Sequence, residues 1–331
     1  MSAKYIFKKI GTSFVTLIAV VIVIFLVLRL MPGDIIEPLA RQEAAQMGLT
    51  FEEAYQRVAD RYNYNPNEPI TDQFVRYVKG LLKGDLGTSM INPRNTVSNI
   101  LAVALPWTIF VVSISLVISF ILGMQLGAIM AIKRKGFINN LITFYVTLVS
   151  TIPNYIVAIF LSIIFVYQLG MFPKSGVYSI NVTPGLNIPF LLSALHHAIL
   201  PIATYVITST GGWTLNMKGS SINVLGSDYV FAARARGIPS RTIINKYMKR
   251  NAMIPMVTIL AMSFGGMIGG APLIEGQFQY LGMGAYLSKA LGERDFILYQ
   301  GLLLCVSVSV IIANLIADIL YSKLDPRIRL E

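Results

Sequence analysis

Six stretches of this chain carry no charge for long enough to cross ~30 Å of hydrocarbon as helices. They are Ile10–Leu28, Leu105–Ile132, a stretch within Phe137–Pro173, Ala198–Met217, Asn251–Ile274 and Phe296–Ala317. Inside a bilayer every backbone N–H and C=O must be bonded within the protein, so uncharged runs of this length read as helices. The third run is too long for one straight span, and Pro153 within it predicts a kink or a break. With 55% hydrophobic and only 13% charged residues, a soluble globular domain is excluded. The first run has an apolar core longer than that of a signal peptide. It is followed by Arg29-Leu-Met-Pro-Gly-Asp34 rather than a small-residue cleavage site, so it reads as a retained span. Pro32 and Gly33 stop that helix, and Arg29 can reach the headgroup region by snorkelling.

Charge fixes the orientation. Lys4, Lys8 and Lys9 precede the first span, Lys133-Arg134-Lys135 follows the second, and Lys218–Arg250 carries seven basic residues against one acidic. The opposite side holds Gly33–Leu101, with nine acidic and seven basic residues, and Lys174 alone before the fourth span. The positive-inside rule then places both termini, the Lys133 turn and the Ser227 loop in the cytoplasm, with six spans. The net charge of +11 is therefore mostly topological. A nucleic-acid partner is excluded, because no solvated basic domain with stacking or base-contacting groups is present.

Within the outer segment, Gln42–Arg61 reads as one amphipathic helix and Asn63–Pro69 as a turn-rich break. Thr71–Leu82 reads as a second helix with Phe74, Val75, Val78, Leu81 and Leu82 inward. Gly84, Asp85, Leu86, Gly87 and Ser89 then form a compact turn, read as an extracytoplasmic cap or contact surface. In the spans, Gly123/Gly127 and Gly265-Gly266/Gly269-Gly270 are small-x-x-x-small pairs, which predict close helix packing. None of the spans carries an acidic or basic residue at its centre, and Asp318 stands near the inner end of the last. The lack of a mid-span relay argues against proton- or ion-driven transport. Cys305 packs as a small apolar residue. His196-His197 lacks a neighbouring cysteine or carboxylate cluster and reads as interfacial hydrogen bonding rather than a metal site. There is no G-x-x-x-x-G-K-[ST], no H-E-x-x-H and no nucleophilic triad to name, so the chain carries no catalytic residues and binds no cofactor of its own.

The basic loop has its own pattern. Ser227 or Asp228 can cap a helix on which Tyr229, Ala232, Ala233 and Arg236 share a face. Gly237 and Pro239 end that helix, and a second runs from about Arg241 to Arg250. The small side chains of Ala232, Ala233 and Ala235 allow another protein surface to approach closely.

This loop resembles the cytoplasmic coupling (EAA) loop of ABC-importer permeases, in the oligopeptide/dipeptide/nickel branch. That branch's D-Y-x-x-x-A-R-A-x-G is matched by Asp228, Tyr229, Ala233, Arg234, Ala235 and Gly237, and its R-N-A-x-x-P by Arg250, Asn251, Ala252 and Pro255. Phe231 stands where the general motif has Glu. Further likenesses follow in order along nearly the whole chain: Arg29-Leu-Met-Pro-Gly-Asp34, Gly84-Asp-Leu-Gly-Thr-Ser89, Phe172-Pro-Lys-Ser-Gly176, Glu275-x-x-Phe-x-x-x-Gly-x-Gly284, Arg294-Asp-x-x-x-x-Gln-Gly301 and Asp325-Pro-Arg-x-Arg329.

The resemblance implies an all-α type I importer permease. It would comprise a first helix with its cytoplasmic tip (1–32), an extracytoplasmic segment (33–101), a five-helix core (102–322) containing the coupling loop 218–252, and a cytoplasmic tail (323–331). It also implies residence in a prokaryotic plasma membrane as one of two homologous permeases. Two cytoplasmic ATPases would hold the ATP and magnesium, and an external solute-binding protein would deliver substrate. Asp228, Tyr229, Ala232, Ala233, Arg234, Ala235, Arg236 and Gly237 would dock the ATPase. Peptides are the expected solute, with oligosaccharides or nickel as alternatives; a reading of another class is an ATP-independent channel or carrier.

Overall fold

The computed structural model describes residues 3–30, 34, 36–62, 65, 68–90, 92–269 and 272–324, with side chains between 7 and 319. Pro32, Gly33, Gly270 and the Asp325–Arg329 tail, all singled out in the sequence, lie outside the described residues. Among the described residues the regular elements are all helices, with no strand beyond an isolated bridge between Thr88 and Thr96.

A long first helix, α1 (Ala3–Arg29), leads into three short outer ones, α2 (Glu37–Met47), α3 (Phe51–Arg61) and α4 (Ile70–Leu82). Then come α5 (Val97–Ile132), α6 (Phe137–Thr151) and α7 (Asn154–Leu161), the last continuing as a π-helical turn over Ser162–Gln168. The long α8 (Ile188–Leu225) is followed by α9 (Asp228–Ala235). A single turn, α10 (Ser240–Thr242), enters a π-helical stretch, Ile243–Lys249, that runs without a break into α11 (Arg250–Met267). Two short helices, α12 (Pro272–Gln277) and α13 (Met283–Gly292), precede the last, α14 (Phe296–Leu324).

Four of these helices, α1, α5, α8 and α14, are long and apolar enough to cross a membrane. The third apolar run is a broken one. Its two halves, Phe137–Thr151 and Asn154–Gln168, meet at 102°, and counted together they make a fifth span. Proline lacks an N–H and disfavours a helical residue before it, so Ile152 is extended and Pro153 starts a new helix. The run Asn251–Ile274 forms α11, an 18-residue helix with Pro255 inside it, and does not reach that measure by itself.

The glycine pairs set the core. A Cβ on Gly123 would lie 2.2 Å from the Trp213 Cβ, and one on Gly127 would lie 2.5 Å from the Thr214 carbonyl oxygen, so α5 and α8 meet backbone to backbone. In the same way Gly265 abuts Ala313 and Gly269 abuts Val306, joining α11 to α14. The first helix lies along the last, burying Ile24, Leu28 and Leu304. Lys9 Nζ meets Asp318 Oδ2 at 2.8 Å, which puts the start of α1 and the end of α14 at the same level.

The outer segment differs from its sequence reading in two places. Gln42–Arg61 is not one helix, because Gly48 adopts φ +67° and ends α2, while Thr50 and Glu53 form a capping box that starts α3. On α4, Val75 and Leu82 are exposed and Gln73 is buried. Phe74, Val78 and Leu81 are part-buried as expected, and Phe74 is joined by Tyr77 in packing on the Phe25 ring, at 5.2 and 5.8 Å, which docks α4 onto α1.

Candidate functional site

The basic loop folds as a helical hairpin. Ser227 occupies the N-cap position of α9 without capping it, its hydroxyl donating instead to the Val224 carbonyl at 2.6 Å. Asp228 leaves an acidic side chain in the first turn, where it favours the positive end of the helix dipole. At the other end Gly237 takes φ +74°. The Ile238 N–H bonds to the Ala233 carbonyl and the Gly237 N–H to that of Arg234, which is a complete Schellman stop.

The faces of α9 divide sharply. Val230 (0% exposed) and Ala233 (4%) turn inward and pack with Ile243, Val224, Leu225, Ile238 and Tyr247. Outward lie Asp228, Tyr229, Ala232, Arg234, Ala235, Arg236 and Gly237, all exposed. Of the shared face read from the sequence, Ala233 is therefore the member that sits inside the hairpin. Phe231, 76% exposed beside Tyr229 at 46%, is the largest apolar group on the outward surface, and sequence reasoning did not select it. The signal available was an aromatic pair two residues apart in an otherwise small and basic stretch.

The second arm ties the hairpin to the spans. Met248 and Ala252 are fully buried and pack with Met217, Met124 and Met256, so the arm is continuous with the core of α5 and α8. Ser220 Oγ donates to the Ala252 carbonyl at 3.1 Å. Asn251 Nδ2 donates to the Tyr247 carbonyl at 2.7 Å, across the junction where the π-helical stretch becomes α11. These contacts explain the Arg250-Asn-Ala-x-x-Pro255 run in physical terms. Asn bonds a carbonyl at the change of helix type, and Ala fits where α8 comes close. Pro255 removes an N–H one turn into the helix. These contacts fix the hairpin to α8 and α11.

Two joints close the opposite end. In the first, Asp85 Oδ1 accepts from the Gly87 N–H at 2.8 Å. Gly87 takes φ +86°, and a Cβ there would lie 2.7 Å from Ile297 Cγ2. Ser89 Oγ donates to Asp295 Oδ2 at 2.5 Å, while Asp295 Oδ1 caps α14 by accepting from the Leu298 N–H at 3.0 Å. Of the five residues read as an outer contact, Ser89 is buried, Leu86 and Gly87 are half-buried, and only Gly84 and Asp85 face solvent.

In the second joint, Glu275 Oε2 accepts from the backbone N–H groups of Gly284 and Ala285 at 2.9 and 3.2 Å. Thr108 Oγ1 donates to Glu275 Oε1 at 3.2 Å and accepts from the Met283 N–H at 2.8 Å. The first turn of α13 is thereby capped in part by a residue of α5 that lies 175 positions away in sequence. Burial outweighs these bonds and raises the Glu275 carboxyl from 4.5 to about 7.

Nearby, Gly176 donates to the Gln279 carbonyl at 3.1 Å, linking the segment after α7 to the α12–α13 turn. His196 and His197 each bond a backbone carbonyl, of Met171 at 3.0 Å and of Ser193 at 2.8 Å.

Residues 123–330 match the model of the family described as binding-protein-dependent transport system inner membrane component. The chain is 28% identical to the oligopeptide transport system permease protein AppB of Bacillus subtilis, over 98% of this chain and 99% of that protein. It is 30% identical to the glutathione transport system permease protein GsiC of Salmonella paratyphi A, again over 98% and 99%. It is 29% identical to the dipeptide transport system permease protein DppB of Bacillus subtilis, over 99% of each. The matched region takes in the α5–α8 glycine contacts, the basic hairpin and Glu275 with its α13 partners, and the likeness to whole permeases extends over Thr108 and the outer segment as well. This chain belongs to the family of inner-membrane permease components of binding-protein-dependent transport systems.

Proposed function

We propose that this chain is one transmembrane half of an ATP-driven importer of short peptides in a prokaryotic plasma membrane. It pairs with a homologous permease, receives solute from an external binding protein, and is driven by two cytoplasmic ATPases that hold the ATP and magnesium. The observation that carries this reading is the hairpin Asp228–Ala252. It presents Tyr229, Phe231 and Ala232 to an outside partner, while Met248 and Ala252 anchor it in the helices that would move.

Peptide as solute rests on the relatives, named for oligopeptides, dipeptides and the tripeptide glutathione, which share the peptide bond and little else. The six-span topology, with the termini, the Lys133 turn and the hairpin inside, rests on the distribution of charge. It requires α11 to cross as the fifth span despite its shorter apolar stretch. The Lys9–Asp318 pair supports it by placing the two chain ends on one side.

Purification in mild detergent with mass spectrometry of bound chains tests the assembly. Recovery of a second permease together with ATPase subunits is expected. Phe231→Asp is expected to release the ATPases while keeping the second permease, because the side chain it alters packs against nothing in the hairpin core. Recovery of the chain without any ATPase under all mild conditions overturns the reading in favour of a channel or carrier.

A further inference from the structure

Between α5, α8 and α11 lies a groove of about 330 Å³, lined by Leu116, Ser209, Gly212, Trp213, Asn216, Ile259, Ser263, Gly266 and Met267. Three observations set it apart from the rest of the helical surface. The first is its glycines. In the pairs Gly211-Gly212 and Gly265-Gly266 one member is packed and the other open. Gly211 abuts Val149 and Gly265 abuts Ala313, whereas a Cβ on Gly212 or Gly266 would meet nothing within 4 Å.

The second is its polar groups. Ser209, Asn216 and Ser263 make no side-chain hydrogen bond to any described residue. Yet most neighbouring span hydroxyls, including those of Thr204, Thr208, Thr210 and Thr214, bond back to a carbonyl one turn earlier. The third is contrast with the other exposed helix faces. On α1 and α6 these present Phe14, Val15, Ile18, Leu141, Phe144 and Leu148, which suit lipid. An unbonded amide and two hydroxyls in a span are costly against acyl chains and belong beside water or a polar guest.

The spacing is helical on both walls. Ser209, Gly212 and Asn216 follow i, i+3, i+7 on α8, and Ile259, Ser263 and Gly266 follow i, i+4, i+7 on α11. Each wall is therefore a continuous strip with small residues where a guest must pass closest. Nothing ionisable lines the groove, so it offers neither attraction nor repulsion to a guest's charge. What it offers is one amide and two hydroxyls, donors and acceptors suited to backbone N–H and C=O groups.

We infer that this groove is the chain's half of the translocation pathway, and that Ser209, Asn216 and Ser263 hydrogen-bond the backbone of an extended peptide whatever its side chains. The inference rests on the importer reading and extends it to the solute's own contacts. Gly212 and Gly266 set the clearance, and Trp213, held against Phe120 at 5.2 Å, forms a fixed floor.

The test replaces Cys305 by alanine and introduces Ser209→Cys, Asn216→Cys or Ser263→Cys singly, with Leu141→Cys as the lipid-facing control. The assembled complex in vesicles is treated with a membrane-impermeant maleimide. A thiol reacts as the thiolate and so requires water, and the groove positions are expected to label at least about ten-fold faster than the control. Trialanine with its binding protein and ATP is expected to slow that labelling.

Gly212→Leu and Gly266→Leu are expected to abolish trialanine uptake in a complex that still assembles. Groove cysteines that resist labelling in every nucleotide state, or that label equally with and without peptide under turnover, overturn the assignment. Co-purification of the ATPases is scored in the same preparation. Water-accessible groove cysteines in a chain lacking ATPases would remove the importer reading and this peptide route with it, leaving an aqueous pore.

Discussion

The Ser89 hydroxyl reaches across 206 residues of sequence to donate to the Asp295 carboxylate at 2.5 Å, and both side chains are buried. One belongs to the Gly84–Ser89 turn of the outer segment and the other caps the last helix. This bond, together with the Gly87–Ile297 contact, fastens the outer segment to α14. Two stretches that look like separate signatures in the sequence are the two halves of a single joint.

Substituting either partner weakens the buried Ser89–Asp295 bond, while Asp295 Oδ1 still faces the Leu298 N–H and Ser89 Oγ the Asn92 N–H. Ser89→Ala and Asp295→Asn are each expected to destabilise by about 1–3 kcal/mol, and the double variant by less than the sum. Thermal unfolding of the four proteins in one detergent measures the coupling, and strict additivity would show that the bond contributes nothing.

The two kinds of glycine should respond in opposite ways. Gly123→Ala places a methyl 2.2 Å from the Trp213 Cβ and must separate α5 from α8, at a cost of about 1–3 kcal/mol by overpacking. Gly212→Ala adds a methyl to open space and is expected to be neutral or slightly stabilising through lower chain entropy. Comparing their melting temperatures checks the packing independently of any transport assay.

Glu275 makes the α12–α13 joint sensitive to pH. Its folded pKa of about 7 lies above the ordinary 4.5, so the neutral form is the one favoured by folding. The stabilisation is complete below 4.5 and is lost as pH rises through 7, by up to ~3 kcal/mol at about 1.4 kcal/mol per unit. Glu275→Gln, fixed in a neutral form, is expected to lack this slope. The difference in stability between the two proteins should therefore shift toward the variant between pH 5 and pH 8; a constant difference would count against it.

Within the hairpin, position decides the outcome of similar substitutions. Ala233→Trp forces a large ring into the contact with Val230 and Ile243, and is expected to unfold the hairpin and expose it to protease. Tyr229→Ala and Phe231→Ala leave that core untouched and are expected to reduce ATPase binding with unchanged protease resistance. Equal protease sensitivity in all three would show that α9 has no distinct inner and outer face.

The sequence alone determined the class of this protein. Uncharged runs long enough to cross hydrocarbon allow only helices, and helices are what the structure has. It also marked the breaks that chemistry forces, at Pro153 and Gly237, and the close helix packing at Gly123 and Gly127, which the structure places against α8. Such features depend on residues a few positions apart or on composition over one segment, which a linear reading captures.

It did not reveal which residue of a helix faces which neighbour. Ala233 and Ala232 are identical in type and adjacent, yet one is buried because Ile243 and Leu225 come against it and the other is exposed. Gly211 and Gly212 differ only in that Val149 of another helix lies against the first. Gly48 split a helix that the amphipathic pattern joined, because one residue in the left-handed region overrides a periodicity. The bonds from Ser89 to Asp295 and from Thr108 to Glu275 link residues more than 160 positions apart. Only the packed structure could bring them together, because each is satisfied by a partner that the local chain does not contain.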